Sequence, residues 1–276
     1  MNLVLGARGR LGAALCRALG NTSAAERVLA PARASYEGWW APDSGAAITA
    51  FMQRQPQPVR TVFVAAGVVD PQAPDEAHAR VNLLLPQQLI QACVPLGIRV
   101  VSFGSTMETL LREAPDQGYA ASKIALGHFV AQQAQHHGLA LHLRLHTLYG
   151  GGPPAPFMFA GQMLQALRSR TAFRMSPGTQ LREYHHVDDE APAILRLAAS
   201  PERGVLALNH GAAMSLAELA RCTFAAFDAL DLLQIGALPA PANERTGLRF
   251  ERTPLLMTHP FRDVRSALAD DLRTYL

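Results

Sequence analysis

Between a short apolar run, Asn2–Leu5, and the first helical stretch, the chain carries Gly6-Ala7-Arg8-Gly9-Arg10-Leu11-Gly12. The helical stretch shows its apolar period in Leu11, Ala14, Leu15, Ala18 and Leu19 and stops at Gly20. A G-x-x-G-x-x-G turn between a strand and a helix narrows the choice of fold sharply. Glycine lets the backbone turn tightly and approach a ligand with no Cβ in the way. The helix behind it offers free N–H groups and the positive end of its dipole, which suit a pyrophosphate. A chain opening in this way is expected to wind β-α-β units around a dinucleotide.

The following segments keep the alternation. Residues 27–30, 61–65, 99–103 and 139–145 read as strands, and 46–54, 76–96 (interrupted at Pro86) and 119–137 as helices. This order predicts an α/β fold with a doubly wound parallel Rossmann sheet and helices on both faces. Residues 150–156 are rich in Gly and Pro. Beyond them 157–169, 188–199, 215–230 and 263–275 look helical, 205–209 looks like a strand, and 238–243 is a Pro/Ala-rich loop. The expected organisation is a dinucleotide-binding domain over 1–150 and a smaller α/β substrate-binding part over 151–276, interleaved with the first.

Composition excludes several classes. With 49% hydrophobic and 17% charged residues the chain is globular and not disordered. A net charge of +3, without charge runs or basic clusters among aromatics, argues against nucleic acid as a partner. Cys16, Cys93 and Cys222 are far apart and form no C-x-x-C pair, so a reducing cytoplasm is expected, without disulfides or a zinc cluster. Arginines interrupt the apolar N-terminus, which therefore reads as no signal peptide, and no apolar run is long enough to span a membrane. No metal is expected: His136-His137 and His185-His186 read as surface or capping residues, with no ligand partners at suitable spacing.

Two further patterns carry chemistry. The second strand runs through Val28 and Leu29 to Arg33 without the acid that NAD-binders usually place there. Arg33 and Arg8 instead favour a 2′-phosphate, hence NADP(H) over NAD(H), with NAD(H) still open. The strand 99–103 leads into Ser105, and Tyr119-Ala-Ala-Ser-Lys123 follows. Tyr119 and Lys123, four apart, share a helix face. An ammonium beside a phenol is expected to lower its pKa, and such a tyrosine passes a proton to or from a substrate oxygen while hydride moves at carbon. Lys123 is the one lysine among 25 basic residues. Arginine replaces it poorly, because the guanidinium differs in reach and geometry. Glu108 reads as a solvated carboxylate ahead of a second acid/base, Trp39-Trp40 as packing residues ahead of a place in a loop near the adenine, and Asp188-Asp189 as a helix cap ahead of a catalytic pair.

Together these motifs resemble the extended short-chain dehydrogenase/reductases of the NAD-dependent epimerase/dehydratase group. The resemblance spans about residues 1–210 and includes Val64-Ala65-Ala66-Gly67, Val81-Asn82, the segment 144–150 and the segment 178–189. It implies Tyr119 as acid/base, Lys123 on the nicotinamide ribose, and Ser105, with Thr106, at the substrate oxygen. It implies cofactor contacts at Gly6, Arg8, Gly9, Arg10, Leu11, Gly12, Arg33, Ala65, Ala66, Gly67, Asn82, Phe103, Tyr119, Lys123 and Thr147. Arg182 would hold a substrate diphosphate by a charge-assisted fork. A homodimer through the helices 76–96 and 119–137 is also implied. The chain departs from the family at Thr106-Met107, where dehydratases carry Asp-Glu, and at Thr147, where Asn is common. The resemblance leads to a cytoplasmic oxidoreductase acting on a nucleotide-linked sugar, as a keto-sugar reductase or a 4-epimerase. A non-catalytic dinucleotide sensor would need the glycine turn and not the Tyr–Lys pair.

Overall fold

A computed structural model describes all residues except 22–26, 135–137 and 246–247. The pair His136-His137 therefore lies outside the described residues. The chain divides into two compact units that interleave along the sequence. The first comprises 1–109, 113–145 and 191–208, and the second 110–112, 146–190 and 209–276.

The first unit is built on six parallel strands: β1 (Asn2–Leu5), β2 (Val28–Leu29), β3 (Thr61–Val64), β4 (Arg99–Ser105), β5 (Ala140–Leu145) and β6 (Gly204–Ala207). Their order is β6-β5-β4-β3-β1-β2, so the sheet is the doubly wound Rossmann-like arrangement. The apolar runs read in the sequence are apolar because both faces are covered. Leu3, Val4, Leu5, Val62, Val100 and Val101 have no exposed surface. Over Leu3, Leu5, Val62 and Val100 the core closes with Ile48 of the helix Gly45–Gln53, and with Leu89, Leu126 and Val130.

Helix α1 (Arg10–Asn21) follows β1, and the segment 76–96 is one continuous helical run. Pro86 does not break that run. It lies in the first turn of Leu85–Cys93, and the missing N–H is absorbed upstream by a wider π turn over Ala79–Leu84. The helix Gly118–Gln133 carries Tyr119 and Lys123.

The second unit has its own core of Tyr149, Met163, Leu164, Phe173, Leu219, Phe224 and Leu268. Three two-stranded ladders frame it: Thr147–Tyr149 with Tyr184–His186, Phe173–Met175 with Leu233–Ile235, and Leu181–Arg182 with Met214–Ser215.

The turn after β1 is the tightest backbone packing in the first unit. Gly6 has φ +81°, and a Cβ there would stand 2.4 Å from Ala66 N. A Cβ on Gly12 would stand 2.2 Å from Gly6 O. These contacts are backbone on backbone, so no rotamer change relieves them. Gly6→Ala is expected to cost about 2 kcal/mol or more of stability through strain and overpacking. A denaturant titration that leaves the midpoint unchanged would contradict this packing.

Candidate active site

The strand order reverses between β1 and β3, and at such a switch point the carboxyl ends of the strands leave a crevice. A cavity of about 210 Å³ occupies it, lined by Gly6 and Gly9 of the first turn, Ala65, Ala66, Gly67 and Val68 after β3, and Arg33, Tyr36, Glu37 and Trp40 beyond β2. Gly9 N donates to Gly6 O at 2.9 Å and closes the turn. Asn82 is buried and clamps the opposite wall: its Oδ1 accepts from Val68 N and its Nδ2 donates to Val68 O, both at 2.9 Å. Arg8 is exposed on the turn. The residues present fit a dinucleotide, since the turn admits no side chain and Arg33 and Glu37 bring charge to the cavity lining.

Two readings from sequence change here. An acid does stand in this cavity: Glu37, four residues past Arg33 and just after the 3₁₀ turn Arg33–Tyr36. The sequence pattern looked for it at the strand end and missed it. The two tryptophans also separate. Trp39 is buried, edge-on to Phe51 at 5.1 Å, whereas Trp40 lines the cavity with the Arg80 guanidinium 5.9 Å from its ring.

Past β4, Ser105, Tyr119 and Lys123 come together. Ser105 lies near enough to the Tyr119 phenol to lower its pKa. Lys123 Nζ donates to Phe103 O at 2.7 Å and lies 5.9 Å from the Tyr119 ring. Phe103 thus contributes its carbonyl, while its ring is buried. Ser122 donates to Tyr119 O at 2.7 Å, and His78 packs edge-on against the Tyr119 ring at 6.2 Å. The phenol does not titrate low. Burial raises its pKa, Ser105 lowers it less, and the Glu108 charge adds to the rise. Burial also pulls Lys123 down to about 8, partly offset by Glu108.

Glu108 is the residue whose role the sequence concealed. Its side chain is 1% exposed and not solvated. It accepts from Ser105 N at 2.8 Å and from Arg144 Nε at 2.8 Å, and lies 3.2 Å from His142 Nε2. Burial pushes its carboxyl up, but the His142 hydrogen bond and charge, with Arg144 and the Ser105 N–H, hold it below the usual range. Gly104 and Gly127 leave the room it needs, since a Cβ on either would stand 2.1 Å or 2.7 Å from its oxygens. Thr106 is buried and its N–H donates to Leu145 O.

The remaining residues singled out in the sequence lie in the second unit. Thr147 is half-buried in the ladder with Tyr184. The Arg182 guanidinium pairs with Glu244 at 2.6 Å. Asp188 and Asp189 stand in the first turn of Val187–Ala199, where Asp189 accepts from Arg262 N. His185 is neither a surface nor a capping residue. It is wholly buried, with Nε2 3.0 Å from Glu183 Oε2 and Nδ1 3.1 Å from Glu190 Oε2. His146 and His210 complete a buried cluster of three imidazoles and two carboxylates. Its members are scattered over 65 positions, from 146 to 210, so local spacing carried no sign of it.

Comparison with known proteins agrees with this fold. The model of the NAD dependent epimerase/dehydratase family matches residues 2–211. The chain belongs to this family. Among solved structures it is similar to dTDP-glucose 4,6-dehydratase from Bacillus anthracis in complex with NAD, at 13% identity, TM-score 0.77, and 100% and 96% of the two chains. It is similar to RMD from Pseudomonas aeruginosa complexed with NADPH, at 20% identity, TM-score 0.74, and 100% and 99% coverage. It is also similar to the UDP-N-acetylglucosamine 4-epimerase from Methanobrevibacter ruminantium, bound to UDP-N-acetylmuramic acid, at 15% identity, TM-score 0.75, and 99% and 97% coverage. Sequence comparison with curated proteins gives no match. The names of these similar structures differ in reaction, and two of them hold different nicotinamide cofactors, NAD and NADPH. Among the described residues no helix is long and apolar enough to cross a membrane.

The buried ammonium gives a pH signature with a definite sign. Lys123 titrates near 8 when folded and near 10.5 when free. The cost of burying its charge is present below 8. It is relieved as pH rises from 8 to 10.5, where the unfolded chain binds more protons than the folded one. Over that window wild type is expected to gain stability relative to Lys123→Met. A stability difference that stays flat across it would contradict the burial.

Proposed function

We propose that this chain reduces a keto group on a nucleotide-linked sugar, using a nicotinamide dinucleotide as hydride donor. The observation that carries the reading is the grouping of Ser105, Tyr119 and Lys123 in the first unit, whose switch-point crevice fits a dinucleotide. The bound cofactor would supply the hydride that reaches the carbonyl carbon. Gly6, Gly9 and Gly12 would leave room for its pyrophosphate, with Ala65, Ala66 and Gly67 as the facing wall. Lys123 would hold the ribose.

The phenol is suited to the acid role in a reduction. Burial keeps Tyr119 protonated at neutral pH, which suits a general acid delivering its proton to the substrate oxygen as that oxygen gains charge. Ser105 would hold the same oxygen by hydrogen bonding. An oxidation would need Tyr119 to begin as a base, which this environment opposes. We assign the cofactor preference to NADP(H): Arg8 and Arg33 outweigh Glu37 by one charge around the ribose end. Elimination of water is set aside because Thr106-Met107 replaces the family's Asp-Glu. Arg182 would meet the substrate diphosphate by exchanging its Glu244 partner.

The family match favours a second reading, a 4-epimerase that returns the hydride to the same carbon. The two differ in stoichiometry, since the reductase consumes NADPH and the epimerase consumes none. In an assay of nucleotide-linked 4-keto sugars, Tyr119→Phe is expected to lower kcat about 1,000-fold while dinucleotide affinity stays near that of wild type. Full turnover by Tyr119→Phe would contradict the assignment.

A further inference from the structure

The buried histidine–carboxylate cluster of the second unit has no part in the chemistry above. His146 Nε2 and His185 Nε2 stand 3.4 Å and 3.0 Å from one oxygen, Glu183 Oε2. The Asn209 side-chain oxygen stands 2.9 Å from His146 Nε2. Its amide is oriented by Nδ2, which donates to Glu251 O at 3.1 Å, so Oδ1 faces the imidazole. Four ligands held at about 2.0–2.1 Å around a tetrahedral zinc lie roughly 3.3 Å from one another. The two rings are splayed, with centroids 4.9 Å apart and planes at 49°, so both nitrogens can address one point.

We propose that His146, Glu183 and His185, with the Asn209 carbonyl oxygen, form a binding site for one divalent transition cation of the zinc class.

Several features beyond ligand type support it. Two histidines and a glutamate form a ligand set that zinc uses. His185 presents its other nitrogen to Glu190 Oε2 at 3.1 Å, the carboxylate–histidine arrangement that orients a metal ligand from behind. Glu190 is held in turn by His210 Nε2 at 3.0 Å, and His210 stacks on His185 at 3.3 Å. Glu183 is fixed by backbone N–H groups of His210 and Ala212, both at 2.8 Å. Glu190 Oε1 is fully buried, with no hydrogen-bond partner among the described residues. Glu183 and Glu190 bring two carboxylates into this buried cluster, and a divalent ion would offset their charge. A cavity of about 240 Å³ touching Glu183, His185 and His210 gives the ion a way in. Such an ion would tie together three segments distant in sequence, at 146, 183–185 and 209.

The site is independent of the dinucleotide crevice, so its test does not depend on the proposed reduction. The protein, stripped with chelator and dialysed, is titrated calorimetrically with Zn²⁺, and separately with Co²⁺ while its visible spectrum is recorded. One ion per chain is expected, with the intense ligand-field bands of low-coordinate cobalt. Glu190→Gln, which preserves shape behind His185, is expected to weaken zinc binding about 10- to 100-fold. His185→Gln should abolish the cobalt bands, its fold being checked by an unchanged circular dichroism spectrum and thermal transition. Absence of saturable uptake by wild type overturns the proposal, leaving a purely hydrogen-bonded ion network. Uptake that both variants retain unchanged overturns it as well.

Discussion

The close approach of two backbones, at Gly6 after β1 and Ala65–Ala66 after β3, is the constraint on which the first unit rests. The two turns meet where a single methyl group would collide with main-chain atoms. That contact fixes the spacing of the strand ends at the point where the sheet reverses direction. It also keeps the floor of the crevice free of side chains, so peptide N–H groups can face a ligand directly. Asn82 does the complementary job from the other wall by holding both polar groups of Val68. Fold and site therefore depend on the same few atoms.

A second layer of control is electrostatic. The Glu108 side chain is buried against His142 and the half-buried Arg144, and its carboxylate accepts the Ser105 N–H. Removing water from this region makes each charge count for more. Burial raises the Tyr119 phenol and lowers the Lys123 ammonium, each toward its neutral form, while the Glu108 charge retains some proton on Lys123. The outcome is a protonated tyrosine suited to giving up a proton. A lysine beside a tyrosine in solution would have favoured the opposite, and the difference is the cost of desolvating charge.

Much of the first unit was legible in the sequence because its signals are local. The glycine turn, the apolar strands and the Tyr119/Lys123 spacing each fit within a few positions, and the strands are buried on both faces as their runs imply. The less legible features depend on partners distant in the chain. Glu108 looked solvated because Arg144 and His142 lie more than 30 positions away. His185 looked like a surface residue because Glu190 and His210 reach it only through the fold. Glu37 escaped the strand-end pattern because β2 is only two residues long and a 3₁₀ turn carries the chain onward to it. Pro86 read as a break, and a π turn absorbed it.

The central claim is that the crevice at the β1/β3 switch point holds a nicotinamide dinucleotide. Trp40 lines that crevice and reports on it. The most direct measurement is a tryptophan-fluorescence titration of the purified protein with NADPH and, in parallel, NADH. The account predicts saturable quenching by both, with NADPH the tighter ligand. Binding of neither dinucleotide would contradict it.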